Sequence, residues 1–553
     1  EKSFEQSELY FKSHYLNPFG VGRFRDVVTG MIGDPFLDLH LNPANLPDLA
    51  EGKTYFSLDF RGDREEPEVM TSYILPGFYI DYWQPYRDPR WHSIARTEPE
   101  PFLAMGLLRY ILNDKLLLGG TYQLIYKNEK FYSMPYAIYN WRYGYDTFGA
   151  GSLEEGEIPV EDVYSGQDEM TNRGHLFSLF VGSKLSPKIH AGLSLNGVVH
   201  SREGSYIDSR SEEYGNTNNY DWKSYGGKER DQDYNHLDFS GGIRYFFDPD
   251  NSVGLKVGYL NGEADQSYLS ADSSRYNRTD QNVDSYSHDS YNRAITDQSW
   301  NRDGKSLYGT VHFNRRIDEK KKFRGYYSFT SGNVDLASET AINDTSFYTG
   351  SGHYSWNNTD YMYLNRSLTA DRRFSTGSRE QTIHEINLNM EWKLSARNTV
   401  MAGIYFAQNK YTISSSEPVI AERWSDNFRQ ETSGGSTTDY AYYRRTYEDK
   451  RLEWQYESKN LSIQVPILLS LKLNKNMNMI LGVNRILDNW DIYEQTTAYF
   501  TQRVRTEDGQ TKEETNFGER YTQPHQKITE DYTDFITRFE VAVSPDLKLN
   551  LLI

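Results

Sequence analysis

The 553-residue chain contains no cysteine and no long apolar run. The lack of cysteine excludes disulfides, thiolate metal sites and cysteine nucleophiles. No stretch approaches the roughly 18–20 apolar residues that a helix needs to cross a bilayer, which excludes a helical membrane protein. The chain has 60 Lys and Arg against 78 Asp and Glu, which gives a formal net charge of −18. That balance argues against nucleic acid as a partner.

Motifs for catalysis and metal binding are also missing. The chain has no Gly-x-Ser-x-Gly elbow, no His-Glu-x-x-His and no phosphate-binding loop. His190 and His200 would stand roughly 33 Å apart on one strand, too far to share an ion. Asp248 and Asp250 could bind calcium weakly, but solvated turn acids explain them better and the EF-hand pattern is absent. We expect no enzyme activity, no cofactor and no metal site.

What the sequence does contain is alternation of apolar and polar residues with a period of two. This period is typical of a β-strand with one apolar and one polar face. The clearest stripe consists of Leu461, Ile463, Val465, Ile467, Leu469, Leu471 and Leu473. Residues 237–247 and 386–394 show the same pattern. Each stripe has about the 9–11 residues that a tilted strand needs to cross a membrane.

Seven short polar turns each connect two consecutive alternating stretches into a hairpin. They lie at residues 113–114, 186–188, 248–251, 318–321, 396–398, 474–476 and 544–546. The other connections are long, polar segments at about 128–172, 203–235, 262–305, 332–381, 411–453 and 488–530, and some of them, such as residues 440–445, could continue as strands above the bilayer. Short turns at one end and long loops at the other are typical of a transmembrane β-barrel.

The sequence therefore predicts an all-β fold, a transmembrane antiparallel up-and-down β-barrel with short periplasmic turns and long extracellular loops. Seven hairpins and a first strand at Thr54–Arg61 give fifteen strands, and residues 63–100 either add a strand or belong to a loop. We predict 14–16 strands. The 45 Tyr suit the membrane–water interface. A soluble β-propeller or sandwich would also alternate, but its connections would not sort into a short end and a long end.

The first 50 residues do not alternate. Pro35, Pro43 and Pro47 fall within thirteen residues, so we expect little regular structure there. We predict two parts: residues 1–50 as a periplasmic or lumenal hatch segment, and residues 51–553 as the barrel. The chain begins at Glu1 without a leader, and we expect a signal peptide to have been removed.

If the apolar faces meet lipid, the alternate residues face the lumen. Candidate lumen-facing residues of both charges are His190, His200, Arg244, Lys256, His312, Arg316, Arg324, Glu385, Glu391 and Arg538. Buried charges must pair or stay hydrated. Such a lumen could surround a plug or line a pore, although each residue taken singly is better explained as stiffening the barrel.

One segment resembles a known family. Residues 30–35 (GMIGDP) and 41–46 (LNPANL), followed by a first strand, resemble the long-chain fatty-acid and hydrocarbon transporters of outer membranes (FadL-like). The resemblance covers about 50 residues and the overall layout. It implies a 14-stranded barrel with an N-terminal hatch in the lumen. The hatch residues would be Asp34, Pro35, Asn42, Pro43 and Ala44.

The sequence thus predicts an integral protein of a Gram-negative outer membrane that moves, or helps to move, small hydrophobic molecules. Its partners would be membrane lipid, a hydrophobic small molecule and, at the loops or periplasmic mouth, a protein. Two alternatives stay open. A general or selective porin would conduct ions, and a scaffold barrel would bind a protein in secretion or surface assembly.

Overall fold

The computed structural model of the protein describes residues 27–49, 53–60, 103–112, 115–131, 167–214, 218–280, 286–354, 358–522, 525–544 and 547–552. These residues include the helix α1 (Pro35–Leu41) and sixteen strands. The strands are β1 Thr54–Phe60, β2 Leu103–Ile111, β3 Leu116–Phe131, β4 Gln167–Ser186, β5 Ile189–Tyr214, β6 Asn218–Asp248, β7 Asn251–Asp280, β8 Tyr286–Arg316, β9 Lys321–Tyr354, β10 Thr359–Lys393, β11 Asn398–Ser433, β12 Ser436–Lys472, β13 Met477–Glu507, β14 Gln510–Thr522, β15 Gln526–Ser544 and β16 Leu547–Leu552. Among the described residues, no helix is both long and apolar enough to cross a membrane.

The strands form one antiparallel sheet in which each pairs with its neighbour in sequence. β14 and β15 both pair with β13, β14 along its second half and β15 along its first half. They therefore occupy one strand position in two pieces, and the sheet has fifteen positions from sixteen strands. The predicted all-β fold and its 14–16 strands are confirmed. Residues 63–100, whose role was left open, lie outside the described residues.

The end of the sheet with the short turns, called the near end below, follows the prediction closely. Five of the seven predicted turns fall between consecutive strands, from the β4–β5 turn to the β12–β13 turn, and residues 113–114 and 545–546 of the other two lie outside the described residues. The first strand is also where alternation placed it, at Thr54–Phe60, and Arg61 lies outside the described residues.

The opposite, far end differs from the prediction. The long polar segments were expected to be mainly loops, but five of the six continue the strands above the alternating stripes. β12 has 37 residues, and its ladder with β11 runs without a loop to Ser433 and Ser436. Ladder hydrogen bonds join backbone groups, so strands can pair where neither face is apolar and no alternation marks them. Of the predicted loop at 128–172, residues 132–166 lie outside the described residues.

Prolines interrupt the ladders locally. At Pro466 the ladder has a gap: pairing between β11 and β12 passes from Ala402–Ile467 to Tyr405–Gln464. Two residues of each strand are skipped and the register is kept. A proline has no N–H to donate to the ladder, so the neighbouring pairs carry the register across it.

Side chains alternate between a buried inner face and an exposed outer face in the near part of each strand. On β12, Val465 and Ile467 are 40% and 43% exposed, whereas Gln464 and Leu468 are buried. All fifteen strand positions carry exposed apolar residues, for example Phe56, Leu107, Leu118, Leu179, Leu193, Phe239, Leu255, Leu307, Phe329, Ile386, Ile404, Ile467, Leu487, Phe535 and Leu549. We call this continuous set the apolar belt.

The first and last strands approach each other, so the sheet curls into a barrel. Arg538 of β15 interacts electrostatically with both Tyr55 and Asp59 of β1. The N-terminal residues 27–49, called the plug segment below, also contact the inner faces of strands from β1 to β15. A segment this short can reach so many strands because the sheet wraps around it.

Candidate functional site

The plug segment owes its local shape to two capping residues. Asp34 precedes α1, and its Oδ1 accepts hydrogen bonds from the backbone N–H groups of Phe36 and Leu37, at 2.9 and 3.1 Å. Pro35 takes the first helical position, where its missing N–H costs nothing. The expectation that prolines would prevent regular structure here was therefore wrong. A proline after an N-cap aspartate starts a helix rather than breaking one.

The helix ends at Asn42, which also shapes the following turn. Its Oδ1 accepts a hydrogen bond from the Ala44 N–H at 2.9 Å, and its backbone carbonyl accepts one from the Asn45 N–H at 2.8 Å. Asn45 in turn donates its Nδ2–H to the Asp38 carbonyl at 2.9 Å. Asparagine side chains commonly close such turns, and Pro43 fixes the backbone between them.

Asn42 also ties the plug segment to the barrel wall. Its Nδ2 lies 3.2 Å from the Ile243 carbonyl of β6, 3.1 Å from the Leu255 carbonyl of β7 and 3.0 Å from Nε2 of His312 on β8. The Asn42 amide nitrogen can only donate, and it shares its two N–H groups among these three acceptors, one of which is Nε2 of His312. That arrangement requires a neutral imidazole with its proton on Nδ1. Asn42 is fully buried.

Glycines on the inner face make room for this close approach. A Cβ atom on Gly242 would overlap Oδ1 of Asn42, and a Cβ atom on Gly192 would overlap the Pro43 carbonyl. Five inner-face glycines contact the plug segment or its partner His312 in this way: Gly106, Gly182, Gly192, Gly242 and Gly254. We call these five residues the glycine seat. A larger residue at any of these positions would displace the plug segment.

Apolar contacts hold the plug segment against two separate parts of the wall. In one part, Val27, Val28, Met31 and Leu37 pack against Met401, Tyr405, Leu468, Ile480 and Ile536 of β11, β12, β13 and β15. In the other part, Phe36 and Leu39 pack against Ala104, Leu108, Tyr110, Leu117 and Phe180 of β2, β3 and β4. The segment is buried against these two inner-wall clusters.

Polar side chains of the wall also bind backbone groups of the plug segment. Lys256 of β7 donates to the His40 carbonyl at 2.8 Å, and Tyr110 of β2 donates to the Pro47 carbonyl at 2.8 Å. Asn387 of β10 donates to the carbonyls of Val27 and Thr29, at 3.0 and 2.9 Å. Buried backbone groups of an irregular segment need such partners.

Charged side chains of the wall face the two plug aspartates. Arg324 and Arg244 lie near Asp38, and Arg538 lies near Asp34. Burial raises the pKa of Asp38 to about 6, against the lowering effect of Arg324. Burial also raises the pKa of Asp34, while its bonds from Leu37 and Phe36 oppose the shift. The Asp38 carboxylate is therefore poised to take up a proton in mildly acidic conditions.

Of the ten lumen candidates, five surround the plug segment: Arg244, Lys256, His312, Arg324 and Arg538. Glu385 accepts a hydrogen bond from Tyr405, at 2.6 Å. The His190 ring packs on Phe246 with centroids 4.7 Å apart, and His200 lies further along β5. Arg316 pairs with Asp250 at 3.2 Å beside the near-end turns, and Glu391 is half-buried near the end of β10.

Sequence reasoning missed several residues of the site. Asn387 and Tyr110 bind the plug segment, yet nothing near them in sequence marks that role. The glycine seat did leave a signal, because Gly182, Gly192 and Gly242 fall at the inward positions of three neighbouring strands. Glycine is disfavoured in strand interiors, and its repetition on one face indicates that something approaches closely.

A second set of inward-facing residues lies further toward the far end, and we call it the upper layer. It comprises Ile125, Leu176, Val198, Tyr234, Leu260, Ala264, Val334, Leu336, Ile413 and Trp454, all buried. Ile125 lies eight residues along β3 from Leu117, and Ile413 lies eight residues along β11 from Tyr405. Leu117 and Tyr405 belong to the two clusters that pack against the plug segment. Eight is even, so both sets share the inner face, about 26 Å apart along a strand.

The part of the chain that the structure describes contains no group of three or more His, Cys, Asp or Glu side chains placed to hold a metal ion. No protein-family model and no curated protein matches the chain.

Solved structures show only a faint likeness. The ferric-catecholate import receptor Fiu from E. coli K12 is 6% identical at a TM-score of 0.15, covering 62% of this chain and 77% of Fiu. BauA, the ferric preacinetobactin receptor from Acinetobacter baumannii, is 8% identical at 0.15, covering 68% and 80%. The copper transporter OprC is 8% identical at 0.13, covering 64% and 85%. Likeness at this level bears on neither fold nor function.

Proposed function

We propose that the protein is an integral β-barrel of a Gram-negative outer membrane and that its apolar belt lies in the bilayer. The exposed apolar residues of β6 run from Leu237 to Phe247. Eleven residues at about 3.3 Å each, tilted by about 45°, give a belt roughly 25 Å tall, the height expected for a lipid-facing band. A water-soluble barrel would not expose apolar residues on every strand.

We further propose that the barrel moves small hydrophobic molecules. The observation that carries this proposal is the combination of a plug segment at belt height with the apolar upper layer beyond it on the same inner face. A general porin lines its lumen with polar side chains. Ile125, Leu260, Val334 and Ile413 instead form a buried apolar layer on the inner face, and this layer would open to a solute that enters from the far end.

Transport would then proceed in three stages. A solute is captured at the far mouth, passes the upper layer, and leaves toward the near end when the plug segment shifts. Lys256 and Tyr110 each hold one plug carbonyl and Asn387 holds two, and these hydrogen bonds can exchange for bonds to water as the segment moves. Residues 1–50 would act as the hatch, in line with the resemblance to FadL-like transporters.

The test is deletion of residues 1–49, with the variant and the full chain reconstituted in vesicles. We expect the full chain to take up a fluorescent fatty acid and to conduct ions weakly. The deletion should raise ion conductance and abolish the preference for the apolar solute over a polar dye of equal size. Unchanged uptake of the apolar solute after deletion would contradict the proposed hatch.

A scaffold role is the second candidate, and the tall far end favours it. β11 and β12 have 36 and 37 residues, far more than a bilayer requires, and they end in a hairpin at Gly434 and Gly435. Such a projection could present a binding surface for another protein. Co-purification of one stoichiometric protein partner after gentle detergent extraction, lost when residues 420–449 are deleted, would support this role instead of transport.

A further inference from the structure

The outer face of the barrel carries a groove directly behind the glycine seat. It crosses β4, β5, β6 and β7 and has a volume of about 440 Å³. Its floor consists of small outward-facing residues: Ser183 pairs with Ala191, and Gly241 lies two residues along β6 from Ile243, the partner of Ala191. Its sides are the exposed apolar residues Val181, Leu193, Ile243, Leu255 and Val257.

The small floor residues are not imposed by packing inside the barrel. The plug segment requires the inward glycines 182, 192 and 242, whereas Ala191 and Gly241 point outward. A Cβ on Gly241 would meet only Cδ2 of Leu193 at 3.3 Å and the Gly192 carbonyl at 4.0 Å, and Leu193 can move. Larger residues would fit there, as they do elsewhere on the belt, so the recess is a feature of the outer surface itself.

Two exposed lysines stand at the near end of the groove. The Lys115 carbonyl accepts a hydrogen bond from Oγ of the floor residue Ser183 at 3.1 Å. The Lys188 carbonyl accepts one from the N–H of Phe246, three residues beyond the groove residue Ile243, at 2.9 Å. Both side chains are solvent-exposed beside an apolar recess, in a chain of net charge −18.

The acids of the neighbouring turn are already engaged. Asp248 accepts hydrogen bonds from Nδ2 of Asn251 at 2.7 Å and from the Asp250 N–H at 2.9 Å. Asp250 pairs with Arg316 at 3.2 Å. An anion beside Lys188 would therefore meet a cation whose neighbouring turn carboxylates, Asp248 and Asp250, already have other partners.

We propose that this groove binds one anionic phospholipid, with an acyl chain on the Ser183–Ala191–Gly241 floor and its phosphate beside Lys115 and Lys188. The inference rests on the proposed placement of the belt in a bilayer. Apolar walls and a ligand-sized volume suit a hydrocarbon chain, and cations at the membrane surface suit an anionic headgroup. A free anion would gain no binding energy from the apolar floor, so the occupant is a lipid. A lipid seated here would press on the same backbone that forms the glycine seat.

The experiment is native mass spectrometry of delipidated protein titrated with phosphatidylglycerol or phosphatidylcholine. We expect one phosphatidylglycerol to be retained per chain. The double variant Ala191→Leu with Gly241→Leu should lower its retention by about tenfold or more. The matched control is Ala402→Leu, an outward alanine of β11 away from the groove, and it should retain lipid normally.

The headgroup contact has its own variant. Lys115→Gln with Lys188→Gln should remove the preference for phosphatidylglycerol over phosphatidylcholine while leaving phosphatidylcholine retention unchanged. If the filled double variant does not fold, the single variant Ser183→Leu replaces it. Equal phosphatidylglycerol retention by the filled variant and the full wild-type chain would overturn the proposal.

The result is separable from the proposed transport. A chain that retains phosphatidylglycerol in the groove but takes up no apolar solute refutes transport and supports the groove. A chain that takes up the solute but retains no lipid refutes the groove alone. A chain that stays monodisperse without detergent and retains no lipid refutes the placement of the belt, and with it both proposals.

Discussion

The two halves of each long strand follow different physical rules. On β12, residues 461–473 alternate between an exposed apolar face and a buried inner face, whereas residues 436–448 are polar and largely exposed or half-buried throughout. The backbone ladder with β11 nevertheless continues through both halves. Alternation therefore reports where one face of a strand is apolar, and it does not report where the strand ends.

The far half is held by contacts between side chains of neighbouring strands. Arg503 of β13 binds Glu448 of β12 at 3.0 Å and Glu519 of β14 at 2.8 Å, and its guanidinium lies 3.9 Å from the Phe500 ring centroid. Phe500 stacks on Phe517 with centroids 4.5 Å apart. Cross-strand pairs of this kind each contribute a fraction of a kcal/mol to about 1 kcal/mol. Their polar members leave no period-two signal in the sequence.

The largest expected difference between the halves is their response to an outward charge. Ile467→Lys places an ammonium in the belt and should cost about 2–4 kcal/mol of folding free energy in a bilayer. Tyr440→Lys, at an exposed position of the far half, should change it by less than about 0.5 kcal/mol. Urea unfolding of both variants in vesicles measures the contrast, and equal costs would mean that the belt does not face lipid.

The next largest effect distinguishes the inner face of the barrel wall from its outer face at the height of the belt. Gly242→Val forces a side chain into the Asn42 contact and should destabilise the seated plug segment by about 1–3 kcal/mol. Gly241→Val, one residue away and pointing outward, is the matched control. Single-channel recording should show raised conductance for the first variant only. Raised conductance in both would mean that the glycine seat does not hold the plug.

Loss of the Asn42 contact should have a smaller effect. Asn42→Ala removes the donor to Ile243, Leu255 and His312 and should destabilise the seated plug segment by about 1–2 kcal/mol. Asn45→Ala is the control, because its side-chain donor bonds only inside the plug segment, to Asp38. The labelling rate of an added cysteine, Ala44→Cys, reports plug release in a chain with no native cysteine. Equal acceleration by both variants would assign the stability to the turn and not to the wall.

The smallest expected effect is the pH dependence of plug seating. Because burial raises the pKa of Asp38 from 3.8 to about 6, the seated state holds the proton more tightly than the released state. The resulting stability is complete below about pH 4 and is lost as the pH rises through about 6. We expect Ala44→Cys labelling, scaled to labelling of Lys188→Cys, to be roughly fivefold slower at pH 5 than at pH 8. Asp38→Asn should remove the dependence, and an unchanged profile in that variant would exclude Asp38 as its source.

The sequence was sufficient for the barrel and its near end. Polar turn residues such as those at 186–188 and the stripe ending at Leu473 placed strands and faces correctly, since each depends on local chemistry. Strand continuation was considered for segments such as residues 440–445, which β12 includes, but the length of the far halves was missed, because ladder pairing without an apolar face leaves no period. The helix at Pro35 was missed because the prolines were weighed without the N-cap residue Asp34 before them.

The plug site was only partly accessible from the sequence. The hatch motif around Asn42 was found, but its partners lie far away along the chain, at Ile243, Leu255 and His312. Such contacts follow from how the sheet curls, which no local pattern encodes. The same holds for Asn387, which is 358 residues from its partner Thr29.

The most direct test of a lipid-facing belt around a buried plug compares two adjacent residues of β12. Ile467 is exposed on the outer face, and Leu468 packs against the plug segment. Each is replaced by cysteine, labelled with a small fluorophore and placed in vesicles of brominated lipid. The account predicts strong quenching at residue 467, none at residue 468, and entry of a water-soluble quencher to residue 468 only after residues 1–49 are deleted. Equal quenching of both labels by the brominated lipid would contradict it.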